Sequence, residues 1–173
     1  NGSIKTNIEA TLSSGILDSP LLNSNIKVSS GNFITARPIG VIDGIDMEFT
    51  GQIRKIDTNA IIDKLINKEI VIISPLGYSP MGDIFNLSYE QTAAHVAQAV
   101  KAEKLIYYIN TNGILNIRGE LIPELTTSKA KQLIENIEDP GRAPFISYHD
   151  LNIMKSSLYA IKNKIEKVHL INR

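Results

Sequence analysis

The stretch SPMGDIFNL, Ser79 to Leu87, follows the apolar run EIVIISPLGY and leads into a helix-like segment. Its glycines and prolines set a tight backbone, while the aspartate and asparagine add hydrogen-bonding side chains. In open α/β sheets, ligands bind where the chain leaves the carboxyl ends of strands. A loop of this composition at such a place is a candidate phosphate or substrate loop, with Gly77, Gly82 and Asn86 as its candidate contacts. The same residues have a plain structural reading. The glycines permit a turn and Asn86 satisfies loop backbone.

The common catalytic motifs are missing from the rest of the chain. No G-x-x-x-x-G-K-[ST] or G-x-G-x-x-G pattern occurs among the 11 glycines, and no G-x-S-x-G elbow presents a serine. His95, His149 and His169 lack metal-ligand spacing, and each reads first as a structural polar group. With no cysteine there is no thiolate nucleophile, disulfide framework or Cys-based metal site. Asp43, Asp46 and Glu48 cluster in sequence but surround a hairpin, which favours solvent exposure over metal binding.

The elements that must position these residues alternate along the chain. Ile70–Ile73, Leu105–Ile109 and Val168–Ile171 are short apolar runs, the form of strands buried on both faces. Helical patterns lie between and before them. Over Asn59–Asn67, Ile61, Ile62, Leu65 and Ile66 share a face, with Asp57 or Thr58 as cap. Over Tyr89–Lys101, Ala93, Val96, Ala97 and Val100 share one, behind a Ser88/Gln91 capping box. Leu151, Met154, Leu158, Ile161 and Ile165 make a stripe near the end, read as core. Lys101, Glu103 and Lys104 read as a solvated helix end. Alternation of this kind predicts an α/β fold, with a mostly parallel sheet flanked by helices. Asp43-Gly44 and Thr50-Gly51 punctuate β-rich segments between Phe33 and Asp57, predicting an appended β-hairpin region. The opening NGSIKTNIEATLSS reads as a helix already under way and VHLINR as a closing strand. Both ends suggest a fragment of a longer protein.

Composition narrows the function classes. At 173 residues the chain suits one domain with a real core, and with no tryptophan and aromatics at 6% that core must be mostly aliphatic. Lys and Arg number 18 against 18 Asp and Glu, which gives no electrostatic reason to bind nucleic acid or an anionic membrane. No apolar run reaches the roughly 18 residues of a membrane helix, and the start lacks a signal peptide's apolar core. The expectation is a soluble, cytoplasmic protein.

From Ser79 onward a specific resemblance emerges. FNLSYE stands where amino-acid kinases carry Y-N-I-N-A-D at a helix start. KAEKLIYYI matches their A-E-K-L-I strand, and NTNGI stands at their D-V-P-G-V. Upstream, VSSGNFITARPIGVIDGID is similar to a run of the amino-acid-kinase-like domain of the bacterial N-acetylglutamate synthases. The resemblance runs from about Gly2 to Ile171 and is patchy between Thr126 and Lys155. It implies that residues 1–173 form part of such a domain, without its amino-terminal phosphate loop and without the acetyltransferase domain that follows it.

The departures from the kinase pattern bear on activity. The motif's closing aspartate, which organises the catalytic lysines, is Glu90 here, with Ser88 at its second asparagine. The aspartate beside the nucleotide is Asn110, followed by Gly113 at the family's glycine. A charge-neutralising lysine falls at Ile153, and Lys155, two residues on, is turned about 200° around a helix. Phosphoryl transfer depends on positioned positive charge, so these substitutions imply a silent site. Gly77, Gly82, Asn86, Glu90, Asn110 and Gly113 are then vestigial substrate and nucleotide loops. No catalytic residue, metal or cofactor is expected in the segment.

The resemblance implies a parent enzyme that transfers acetyl from acetyl-CoA to L-glutamate in arginine biosynthesis. This segment would contribute L-arginine sensing and homo-oligomer contacts, and would be inactive alone. In arginine-sensitive members a histidine of V-H-I-I-D borders the effector pocket, and His169 in KVHLIN matches it. The acidic partners of the guanidinium are expected outside the chain, so the fragment itself is expected to bind arginine weakly or not at all. Two alternatives stand beside this reading, an active acetylglutamate-kinase-type phosphotransferase and a ligand-free oligomerisation module.

Overall fold

The computed structural model describes residues 2–14, 26–116, 118–138 and 148–172. Contacts divide the chain into two compact units, Asn1–Tyr89 and Glu90–Arg173. The first contains α1 (Gly2–Ser14), β1 (Val28–Ser30), β2 (Ile34–Pro38), β3 (Val41–Ile42), β4 (Ile45–Asp46) and β5 (Gly51–Ile56). It continues with α2 (Thr58–Ile66), β6 (Ile70–Ile72), β7 (Leu76–Tyr78) and β8 (Ile84–Asn86). Helix α3 (Tyr89–Val100) starts at the division, and β9 (Lys104–Ile109), α4 (Thr127–Glu138), α5 (Tyr148–Lys162) and β10 (Lys167–Asn172) follow. The helix predicted at the start is α1, although Asn1 and Arg173 lie outside the described residues. Among the described residues, no helix is long and apolar enough to cross a membrane.

In the first unit, β1 and β6 pair in parallel from Val28↔Ile70 to Ser30↔Ile72. A mixed sheet runs in the order β5-β2-β7-β8, with β2 parallel to β7 and the flanking pairs antiparallel. The Asp43-Gly44 turn joins β3 to β4 with both residues at positive φ, 50° and 81°. That is the turn whose twist matches a two-residue hairpin. Thr50-Gly51 behaves differently from the expectation. Thr50 closes the turn that begins at Met47, its amide donating to the Met47 carbonyl at 2.8 Å, while Gly51 opens β5 and is buried where a Cβ would run into the Phe85 side chain. Close approach of chains, not a bend, selects glycine at this position. Asp57 caps α2 by accepting from the Ala60 amide at 3.1 Å, and Ile61 is the residue that α2 buries.

In the second unit, β9 and β10 pair in parallel from Lys104↔Lys167 to Ile109↔Asn172. Leu105, Tyr107 and Ile109 are buried and alternate with exposed Lys104, Ile106 and Tyr108. This corrects the expectation of strands covered on both faces. A run apolar at every position does not reveal which face lacks a cover. The covered face meets Ala94 and Ala97 of α3, Ile153 and Ala160 of α5, and Ile165. The buried residues of α3 are Glu90, Thr92, Ala94 and Ala97; of the predicted Ala93/Val96/Ala97/Val100 stripe, Ala97 is buried and the other three are half-buried. The stripe of α5 holds in the main. Leu151 and Met154 are buried, Leu158 and Ile161 half-buried, and Ile165 is buried just past the helix end.

Candidate functional site

The loop that raised the first functional question is the tip of the β7–β8 hairpin. Ser79 organises it: its hydroxyl donates to Asp83 Oδ2 at 2.8 Å and accepts from the amides of Met81 and Asp83. Gly82 has φ +96° in open space, as a turn requires. Gly77 is not in the turn but buried in β7, where a Cβ would overlap that of Ala36. Asn86 lies in β8, and its amide donates to the Phe49 carbonyl at 2.8 Å. Turn and strand geometry thus accounts for all three residues.

Glu90 stands in the first turn of α3 and is buried, at 5% exposure. His149, in the first turn of α5, places Nδ1 3.4 Å from the Glu90 carboxylate. The Glu90 carbonyl also accepts from the Tyr107 hydroxyl at 2.7 Å. Glu90 is therefore engaged in a buried network linking α3, β9 and α5. Asn110 is exposed in the turn after β9. Ile153 faces the core at 1% exposure, whereas Lys155 is exposed on another face of α5, as the angular argument predicts. Among the described residues, no group of three or more metal-ligating side chains is placed to hold an ion.

Two of the sequence candidates do come together. A cavity of about 840 Å³ lies between the chain after β9, the start of α4, α5 and β10, and both Gly113 and His169 line it. Gly113 holds φ +123°, and a Cβ on it would press on Leu121, so no other residue fits there without strain. Asn172 donates to Asn112 Oδ1 at 2.7 Å, tying the end of β10 to the loop that carries Gly113. Ile114, Ile122, Leu125, Met154 and Leu158 supply apolar wall. Among the described residues, the buried Ser157 hydroxyl on the same wall has no hydrogen-bond partner. Gly77, Gly82, Asn86, Glu90 and Asn110 do not line this cavity.

The charges around it were not legible in the sequence. Glu124 and Glu166 line the cavity together with Lys167 and His169. Two carboxylates thus share the cavity with the histidine, where the expectation put the acidic or carbonyl partners of a guanidinium outside the chain. Such a rim can take a zwitterion, with carboxylates facing a cationic end and the Lys167/His169 side facing an anionic one. No motif marks Glu124, Ser157 or Glu166; only the strand alternation around His169 could have hinted at Lys167.

The fold has known relatives. The profile of the amino acid kinase family matches residues 5–172. An amino-acid acetyltransferase of Ralstonia nicotianae is 39% identical over 171 residues, covering 99% of this chain and 36% of that protein. The crystal structure of N-acetylglutamate synthase from Neisseria gonorrhoeae complexed with coenzyme A and L-arginine superposes with a TM-score of 0.85 at 36% identity, covering 99% of this chain and 38% of that one. The same enzyme complexed with coenzyme A and N-acetyl-glutamate gives a TM-score of 0.82 at 36% identity, over 99% of this chain and 36% of that one. The chain thus spans little more than a third of the length of the relatives it matches.

Proposed function

The chain belongs to the amino acid kinase family, and from that membership we propose that it is the regulatory kinase-like domain of an N-acetylglutamate synthase. In this reading the parent protein transfers acetyl from acetyl-CoA to L-glutamate, and the present segment senses L-arginine and contributes homo-oligomer contacts. The carrying observation is the likeness to the synthase along 99% of the chain, with His169 lining a cavity that also holds Glu124 and Glu166. The proposed arginine pose puts the guanidinium against a carboxylate and the α-carboxylate toward Lys167 and His169. Exposed Val41, Ile42 and Ile45 on the β3–β4 hairpin offer apolar surface for self-association. Calorimetry of the 173-residue chain with L-arginine tests the site. The expected result is saturable binding that L-lysine, with no planar fork to match a carboxylate, does not reproduce. No heat of binding would remove the effector pocket from this segment.

The phosphotransferase alternative is disfavoured by the side chains at the kinase positions. Glu90 is committed to a buried network, Asn110 cannot act as a carboxylate, and Ile153 points into the core. Incubated with magnesium-ATP and N-acetylglutamate, the chain or its longer parent is expected to release no ADP above background. ADP release dependent on N-acetylglutamate would restore the kinase reading.

A further inference from the structure

We propose that Asn112 is a site of self-modification, where ring closure with Gly113, promoted by Asn172, turns an amide on the cavity wall into a carboxylate. Asn112 and Gly113 both line the cavity of about 840 Å³, and Asn112 is exposed in the bend after β9. An asparagine side chain can close a five-membered ring on the backbone nitrogen of the next residue. Glycine there has no Cβ to block the approach. At φ +123°, Gly113 holds a backbone that other residues rarely adopt.

The fold adds a second element that the sequence pair lacks. Asn172, at the end of β10, donates from Nδ2 to Asn112 Oδ1 at 2.7 Å. That oxygen is the one on which negative charge gathers when a nucleophile adds to Cγ. A donor already in place there stabilises the developing oxyanion. The contact is made through Oδ1, so the leaving nitrogen of Asn112 stays outside it. The neighbouring asparagines differ. Asn110 precedes Thr111 and Asn116 precedes Ile117, whose branched side chains crowd the nitrogen that would attack. Asn116 is also tied down, its Oδ1 accepting from the Arg118 and Glu120 amides and its Nδ2 donating to the Glu120 carboxylate.

Base removes the Gly113 amide proton, and the nitrogen adds to Cγ of Asn112. The N–Cγ bond forms, the Cγ–Nδ2 bond breaks, and Nδ2 takes a proton from water and leaves as ammonia. Water then opens the imide at either carbonyl, giving aspartate or isoaspartate. Both products carry a carboxylate where a neutral amide stood, and isoaspartate also lengthens the backbone by a methylene. Glu124 and Glu166 already share the cavity with Lys167 and His169. A further carboxylate tips the wall toward negative charge and favours a cationic ligand. The modification stands apart from the arginine reading, although its expected effect on arginine rests on it.

The test incubates the 173-residue chain at mildly alkaline pH and follows the tryptic peptide Leu105–Arg118 by fragmentation mass spectrometry. Conversion at Asn112 is expected to run at least about tenfold faster than at Asn110 or Asn116 in the same peptide. Asn172→Ala, and Asn172→Asp, which keeps the size but loses the donor, are each expected to slow it by about tenfold or more. Asn112→Asp is expected to bind L-arginine about threefold more tightly than the unincubated parent chain. Conversion at Asn112 no faster than at its neighbours, or a rate that loss of the Asn172 donor leaves unchanged or raises, would overturn the proposal. Arginine binding that Asn112→Asp leaves unchanged or weakens would overturn the charge effect. If the unincubated chain binds no arginine, the effector reading fails, and the peptide rates still decide the modification.

Discussion

Replacing Ile153 with lysine is expected to cost the Glu90–Arg173 unit on the order of 5 kcal/mol, enough to unfold a typical domain of marginal stability. The position is one where kinases of the family use lysine, so the substitution looks like a repair. The surroundings say otherwise. Ile153 is 1% exposed in a cluster with Ala94, Ala97, Leu105, Tyr107, Ile109, Ala160 and Ile165. None of these can pair with an ammonium. A lysine held there must shed its proton or draw water into the core, and at neutral pH either is costly. Because its pKa would be depressed in the folded state, the penalty is present at pH 7 and shrinks as pH rises toward the unfolded value near 10. Ile153→Ala, which only leaves a cavity, is expected to cost about 2–5 kcal/mol with no such pH dependence. Urea unfolding at pH 7 and pH 9.5, read by hydrogen exchange at α5 amides, separates the two. A lysine variant as stable as the parent at pH 7 would mean that this face of α5 opens to solvent.

The same position shows how much a sequence discloses. Counting back from VHLI was enough to place an isoleucine where the kinases have lysine, and the helical period was enough to turn Lys155 away. Both follow from local periodicity, which is carried by the chain itself. So are the Asp43-Gly44 turn and the Asp57 cap. What failed was set by contacts distant in sequence. Gly51 and Gly77 are glycines because Phe85 and Ala36 come close, not because the chain turns. Helix α3 buries Ala97 of its predicted stripe but also Ala94, which joins a cluster with Ile153 and Ala160 of α5 that α3's own pattern does not disclose. Glu90 was legible as a departure from a motif, but its partner His149 lies 59 positions on, too far for any local rule. Glu124 was missed for the same reason, since it lies 45 positions before His169 and shares a cavity with it only through the fold, whereas Glu166 stands three residues from His169 and no motif marks it.

His169→Ala, made in the full-length acetyltransferase proposed as parent, is expected to raise the arginine concentration needed for half-effect by about tenfold or more. A hydrogen bond to a charged ligand group is worth roughly 1.5–3 kcal/mol, and each 1.4 kcal/mol is a factor of ten. His169 is singled out by its place as well as by its type. It pairs with Ile106 across β9–β10, on the strand face left exposed, and it lines the cavity with Lys167, Glu124 and Glu166. Removing the imidazole takes away one contact to the α-carboxylate but leaves the carboxylates that face the guanidinium. Arginine binding should therefore weaken and not vanish. Glu124→Gln and Glu166→Gln test the other end of the ligand and should weaken the arginine response without mimicking each other if only one of them meets the guanidinium. Acetyl transfer without arginine is expected to stay within about twofold of the parent, since the proposed chemistry resides in another domain. The competing account is that His169 merely fills the strand position. It predicts that His169→Gln, which keeps size and a donor, and His169→Ala differ only in stability. Titrating arginine against the parent protein and the two histidine variants distinguishes them. An unchanged dose response in His169→Ala would take His169 out of the effector site.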